Sequence, residues 1–290
     1  MDDRALIENA LYEATGKPFS IASQQAIGGG CINDAFRLQG EDRSYFLKSN
    51  RPHFADAYAA EALALRQLGE CDGVRVPKVI VELQSDTQAY LILEYIPTRA
   101  SRSGDWESLG RGLAELHAVE QPFFGWERDN LIGATPQPNE RSDDWIAFFR
   151  ERRLEHQLRL CHSRGFTPRG ADTLLERLED FFEDHRPHPS LLHGDLWSGN
   201  VAFDADGQPF IFDPGSYYGD READIAFTEF FGGFSREFYE AYNDSLSLSA
   251  GYSVRKTLYN LYHCLNHVYL FGSGYTSQAE EMVRQLLSEV

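Results

Sequence analysis

LLHGDLWSGN, residues 191–200, followed closely by IFDPG, residues 211–215, is the stretch on which the fold turns. His193, Asp195 and Asn200 are spaced H-x-D-x-x-x-x-N, and Asp213 heads a D-P-G turn. Between them VAFD and PFIFD flank the turn residues Ala205, Asp206 and Gly207. That pattern predicts a hairpin over 201–213, which would return Asp213 to the neighbourhood of Asn200. Phosphoryl transfer needs a carboxylate to orient and deprotonate a hydroxyl, and oxygen ligands for a magnesium ion bridging phosphates. Asp195 suits the first role, Asn200 and Asp213 the second. The bland alternative is a polar loop whose buried aspartate caps backbone groups. It would need all of these spacings to coincide by accident.

Toward the N-terminus the pattern reads helix, strands, helix, strands. IASQQAIGGG, CINDAFRLQ and SYFLKSN fit three short strands, with Gly28, Gly29 and Gly30 at the first turn. Bare backbone N–H groups there can approach phosphate oxygens, although a glycine triplet alone is only a turn signal. Lys48 lies on the third strand in an alternating pattern, and a helix follows over 54–69, ending at a glycine. At 100° per residue Phe54, Tyr58, Leu65 and Leu68 form one stripe, with Glu61 in its middle. A carboxylate aimed into a packed face is costly unless paired, and Lys48 is the obvious partner. Two further strands, VPKVIVEL and AYLILEYI, close this part. Backbone groups of Glu94, Tyr95 and Ile96 would then stand at the hinge, within reach of an adenine ring.

Beyond Pro97 the composition turns helical, with helices expected over 105–119, 143–162, 171–185 and 254–271, interrupted by the hairpin. The architecture expected is therefore α+β in two lobes. A small β-rich N-lobe with one key helix spans 1–96, and a larger, mainly helical C-lobe spans 97–290. Ligands tend to bind in the cleft between two such lobes.

Bulk properties bound the rest. A net charge of −18 makes binding to nucleic-acid backbones a poor expectation. The first residues, MDDRALIENALYEATG, lack a basic start and an apolar stretch, and no run of 18 apolar residues occurs. A cytoplasmic location without a membrane partner is the simplest reading. Cys31, Cys71, Cys161 and Cys264 lie far apart without a CxxC pair, which suggests reduced thiols rather than a disulfide framework or zinc site.

HGDLWSGN, IFDPGSYYGDRE and FFGGF together resemble the fructosamine kinase (ketosamine-3-kinase) family, a branch of the aminoglycoside and choline kinase group within the protein-kinase-like superfamily. GGGCIND, FGW…DN.IG, PQPN…DDW..FF..RRL..QL and LYNLYHCLNH extend the likeness to nearly the whole chain. Gly215 departs from it, standing where this family often has alanine. The resemblance implies transfer of phosphate from Mg-ATP to the 3-hydroxyl of a ketose joined through C1 to an amine. The product is unstable and releases the amine, a repair of glycation.

It also implies a small-molecule or protein-bound ketosamine as substrate, and ATP and Mg²⁺ as cofactors. Monomer and homodimer both remain open. ATP would contact Gly28, Gly29, Gly30, Cys31, Lys48, Glu61, Glu94, Tyr95 and Ile96. Trp197 would supply an aromatic wall for the acceptor, unless it anchors the loop from beneath. His267 would face the acceptor, or be a satisfied core histidine. Asp220 and Asp224 would brace the loop, and Asp143, Asp144 and Trp145 would open a helix, or else approach a cationic substrate. A redox role for Cys31, through a disulfide that occludes ATP, is implied in the same way, against a small buried residue. The competing readings are a kinase of another hydroxylated amine, of aminoglycoside or choline type, and a nucleotide-binding pseudokinase serving as an interaction module.

Overall fold

The computed structural model describes residues 3–28 and 33–290. Helix α1 (Asp3–Thr15) precedes strands β1 (Ser23–Ala26), β2 (Asp34–Gln39) and β3 (Ser44–Asn50). Helix α2 (Ala55–Leu68) then leads to β4 (Val79–Gln84) and β5 (Ala89–Glu94). The five strands make one antiparallel sheet in the order β1-β2-β3-β5-β4. Period-two alternation gives the sheet two apolar faces. Leu38, Tyr45, Leu47, Tyr90 and Ile92 pack on Ile7 and Leu11 of α1 and on Phe19 and Ile21. Leu91 and Leu93 face the other way, against Tyr58, Leu65 and Leu68 of α2, and join the main core. Each such side chain contributes roughly 1.5–3 kcal/mol of burial.

The remainder is mainly helical, as expected. It runs β6 (Thr98–Arg99), α3 (Asp105–Ala118), β7 (Asn130–Ile132) and β8 (Thr135–Gln137). Next come α4 (Trp145–Phe148), a π-helical segment (Phe149–Leu154) and α5 (Glu155–Ser163). The helix expected over 143–162 is thus one run with a wide turn inside it. That turn carries Arg153, whose buried guanidinium donates to Pro138 O and Asn139 Oδ1, each at 2.7 Å, and lies 4.0 Å over the Tyr217 ring. The helix expected over 171–185 is shorter: α6 (Ala171–Glu176) gives way to a 3-10 turn (Leu178–Phe182).

Strand β9 (Ser190–Leu192), the hairpin β10 (Val201–Asp204) and β11 (Pro209–Ile211), and β12 (Tyr217–Gly219) follow. The chain ends in α7 (Glu222–Phe230), α8 (Arg236–Ser245), α9 (Tyr252–Phe271) and α10 (Thr276–Glu289). Of these four helices the sequence pattern picked out only α9, yet α8 and α10 each bury a regular stripe: Phe238, Ala241 and Tyr242 in one, Ala279, Met282, Val283 and Leu286 in the other.

The two parts are stitched together where the chain leaves β5. Strand β6 pairs with β10, Phe203 opposite Arg99 and Asp204 opposite Thr98. Arg75 bridges to Phe210 in the hairpin and forms an ion pair with Asp204. The connection after the first sheet is therefore fixed to the hairpin that follows Asn200. Among the described residues, no helix is long and apolar enough to cross a membrane.

Candidate active site

Strand β9 delivers the chain to His193, and Gly194 turns it in the left-handed region, φ 79°. A Cβ at Gly194 would collide with the carbonyl of Gly215, so only glycine lets the 193–200 loop cross the D-P-G turn this closely. Two backbone N–H groups at the crossing, His193 and Gly194, donate to the Asp224 carboxylate at 2.7 and 2.8 Å. His117 donates to the same carboxylate at 3.3 Å, and Tyr242 O–H holds the other ring nitrogen of His117 at 2.9 Å. Asp224 thus braces the loop, as expected. Asp220 does not: it accepts from His185 (2.7 Å), Glu222 N (3.0 Å) and Tyr259 O–H, and so ties α7 to α9.

The hairpin does what its turn residues suggested. Phe212 N donates to Asn200 O at 3.1 Å, and Asn200 Nδ2 donates to Asp195 O at 2.8 Å and Asp195 Oδ2 at 3.2 Å. The same Nδ2 reaches Asp213 O at 3.5 Å. His193 Nε2–H donates to Phe212 O at 2.9 Å, and its Nδ1 accepts from Asp195 N at 3.3 Å. Asp213 is the one non-glycine residue with positive φ, 57°, among the described residues. Such a conformation persists only where neighbours over-determine it. Here Gly215 N is held by His193 O at 2.9 Å and Gly215 O by Gln137 Nε2 at 2.9 Å.

From the other side of the cleft comes Lys48. Its Nζ lies 2.6 Å from Glu61 Oε1 and 2.6 Å from Asp213 Oδ1. The Lys48 and Glu61 side chains are nearly inaccessible, whereas that of Asp213 is 43% exposed. The helical stripe of α2 therefore does aim Glu61 inward at Lys48.

These charges shift one another. Burial pulls the Lys48 ammonium down, but Asp213 and Glu61 outweigh it and hold the lysine charged, above its ordinary value. Burial pushes Glu61 up against the opposing pull of Lys48. Asp195 is raised well above the ordinary aspartate value, first by burial and then by the neighbouring Asp213 charge. Burial lowers His193, which stays a neutral, orienting ring. A raised carboxylate beside a charge partner in a cleft makes Asp195 a candidate acid–base group.

The donor set fits a hard divalent cation. The Asn200 amide nitrogen is spent on Asp195, which leaves its oxygen as the ligand end, and the exposed carboxylate of Asp213 is alongside. A second cluster of ligand types, His185, Asp220 and Glu222, is buried, but Arg255 already neutralises it with bonds of 2.7 and 3.1 Å to Glu222.

Within the same loop Trp197 is 36% exposed, not a buried anchor. Its indole folds back over Gly199, where any Cβ would strike the ring, so the glycine of W-S-G-N is needed for this pose. Phe231 meets the indole edge-on, centroids 5.8 Å apart, and His267 meets Phe231 at 5.2 Å. His267 Nδ1–H donates to His263 O at 2.7 Å, within α9. Behind the loop, Gly233 (φ 97°) abuts Ser198, and a Cβ there would meet Ser198 Oγ at 2.6 Å. Phe231, Gly199 and Gly233 were not singled out in the sequence, although W-S-G-N and F-F-G-G-F contain them. Asp144 caps α4 by accepting from Ala147 N at 2.9 Å and Trp145 is core, so that segment is a helix start.

At the expected hinge, Glu94 N–H is spent on Lys78 O (2.8 Å), its side chain faces Arg75, and Tyr95 lies under the Arg37 guanidinium at 4.5 Å. Ile96 is buried. Gly28 follows Ile27, whose N–H bonds Ala35 O at 2.8 Å at the mouth of the β1–β2 turn. Gly29, Gly30 and Cys31 lie outside the described residues. Cys71, Cys161 and Cys264 are free thiols, and burial pushes Cys161 to about 11 and Cys264 to about 12.

The fructosamine kinase family model matches residues 4–289. "Probable ketoamine kinase" of Synechocystis sp. is 42% identical over 282 residues, covering 97% of this chain and 96% of that protein. The chloroplastic "Protein-ribulosamine 3-kinase" of Arabidopsis thaliana is 41% identical, covering 98% and 89%. A crystal structure from Haemophilus somnus 129PT, assigned to the fructosamine-3-kinases, superposes with a TM-score of 0.91 at 30% identity over 97% and 96% of the two chains. An aminoglycoside phosphotransferase and a choline kinase, 18% and 14% identical with TM-scores of 0.61 and 0.65, share the fold, which is the two-lobed protein-kinase-like one. The chain belongs to the fructosamine kinase family.

Proposed function

We propose that this protein transfers the γ-phosphoryl group of ATP to the 3-hydroxyl of the ketose in fructosamines and ribulosamines. The observation that carries the reading is the convergence of Asp195, Asn200 and Asp213 within one hydrogen-bonded loop crossing, with the Lys48 ammonium 2.6 Å from Asp213. The N-lobe is taken as residues 1–96 and the C-lobe as 97–290.

Lys48, steadied by Glu61, holds phosphate oxygens, and Gly28, Gly29, Gly30 and Cys31 are assigned to ATP contact beside it. Because Glu94 N–H is committed to Lys78, adenine is read by the Glu94 carbonyl and the Ile96 N–H. Asn200 and Asp213 would hold Mg²⁺, which when bound offsets phosphate charge. Asp195 Oδ takes the proton of the acceptor hydroxyl, its raised affinity for protons matching that task. Trp197 and His267 flank the sugar with neutral aromatic faces. A pseudokinase would lack one of Lys48, Asp195, Asn200 or Asp213, and this chain keeps all four.

An ATP-consumption assay with fructosyl-, ribulosyl- and erythrulosyl-amines, kanamycin and choline tests the proposal. Turnover with the ketosamines, lost in Asp195→Asn, is the expected result. Turnover confined to kanamycin or choline, or to none of the panel, would overturn it.

A further inference from the structure

Among the described residues five large apolar side chains are strongly exposed, Tyr12, Val119, Trp197, Phe231 and Phe271, and three of these belong to one strip. Exposed aromatics are ordinary singly, but a contiguous set marks a surface that something covers. Trp197 meets Phe231, Phe231 meets His267, and His267 meets Phe271 at 5.5 Å and Tyr275 at 5.0 Å. The strip begins two residues beyond Asp195 and runs outward along α9. There His267 and Phe271 recur one turn apart on one face, roughly 6 Å along the axis, while His263, the turn before, is buried against Phe227.

Trp197 and His267 are the rings assigned above to the ketose. Phe271 lies a full turn, roughly 6 Å, further out than His267. Burial lowers His267, so this ring is uncharged near neutrality. An uncharged aromatic lane takes hydrocarbon by apolar contact and tolerates an ammonium by cation–π attraction. Its continuity with Asp195 names the occupant: a group lying on Phe231 and Phe271 while a hydroxyl sits at Asp195 belongs to the same acceptor molecule.

Resting on the ketosamine reading, we infer that Phe231, Phe271 and Tyr275 form a second acceptor subsite for the hydrocarbon arm on the ketosamine nitrogen, selecting lysine-like alkyl arms over short ones. No bond is made or broken there. The lane sets acceptor affinity, while the chemistry stays at Asp195.

The test compares 1-deoxy-1-methylamino-fructose with 1-deoxy-1-hexylamino-fructose, by kcat/KM and by calorimetric titration, in the wild type, Phe271→Ala, Tyr275→Ala and Phe271→Leu. The wild type should prefer the hexyl compound at least about tenfold, through KM rather than kcat. Phe271→Ala and Tyr275→Ala should pull that ratio toward one, and Phe271→Leu should keep most of it. Equal values for the two acceptors in the wild type would overturn the subsite. So would a wild-type dimer that Phe271→Ala splits with the ratio unmoved, which would give the strip to a second copy. If neither compound is phosphorylated, the ketosamine reading fails, and the titrations then judge the lane alone. Tighter hexyl binding that is lost in Phe271→Ala upholds it, and equal binding overturns it.

Discussion

Lys48 Nζ and Asp213 Oδ1 stand 2.6 Å apart, one from the middle of a five-stranded sheet and the other from a turn behind a hairpin in the helical part. Glu61, from α2, completes the contact at 2.6 Å on the same ammonium. A single buried cation thus draws three separate elements to one point, and the consequences of removing it can be stated.

Lys48→Met leaves Glu61 inside the protein without its partner. Breaking a buried pair in this way costs about 3–5 kcal/mol, whereas replacing both partners with apolar groups is often neutral. Denaturant unfolding should therefore show a marked loss for Lys48→Met and near-recovery for Lys48→Met/Glu61→Leu. Phosphate transfer should stay lost in both. A Lys48→Met protein as stable as the wild type would mean that the pair is solvated and that the inward aim of Glu61 is misread.

Asp195 supplies a pH test. Burial and the Asp213 charge raise its pKa, so its proton comes off at a higher pH than the ordinary value of 3.8. The base form is then depleted as pH falls through that raised value, and activity should fade there rather than near 3.8. A carbon-13 NMR titration of the metal-free protein should find the Asp195 midpoint displaced upward, and Asp213→Asn should bring it down. An unperturbed midpoint, or no response to Asp213→Asn, would remove the electrostatic link between the two. Asp195→Asn should cost at least about 10²-fold in kcat while leaving the melting temperature close to that of the wild type.

Two glycines with similar backbone angles separate strain from collision. Gly194 (φ 79°) would drive a Cβ into the Gly215 carbonyl, while Gly232 (φ 70°) has open space around it. Gly232→Ala should cost only the left-handed penalty, about 1–2 kcal/mol. Gly194→Ala should cost more and should also depress turnover, because the crossing that holds Asp195 beside Asp213 must open. Equal thermal shifts for the two variants would argue against a tight crossing.

Legibility in the sequence divides along physical lines. His193, Asp195, Asn200 and Asp213 could be read because one loop and one hairpin carry them all, and a hairpin's geometry follows from its turn residues. Glu61 could be read because a charge in an apolar helical stripe demands a partner. Asp220 is the exception, since nothing local reveals that His185 and Tyr259 hold it instead of the loop. The run Trp197–Phe231–His267–Phe271 joins the 193–200 loop, the end of α7 and the outer half of α9, so no spacing rule links its members. Helix α10 repeats apolar residues at helical intervals and was legible in principle. The π turn around Arg153 was not, because its partners Pro138, Asn139 and Tyr217 come from other segments.

The most direct measurement is phosphorus-31 NMR of the reaction of this protein with Mg-ATP and fructosyl- or ribulosyl-lysine. A phosphate ester coupled to the C3 proton should build up as ATP is consumed, then decline as free lysine appears, and Asp195→Asn should form none. ADP accompanied only by inorganic phosphate, or an ester at a position other than C3, would contradict the account.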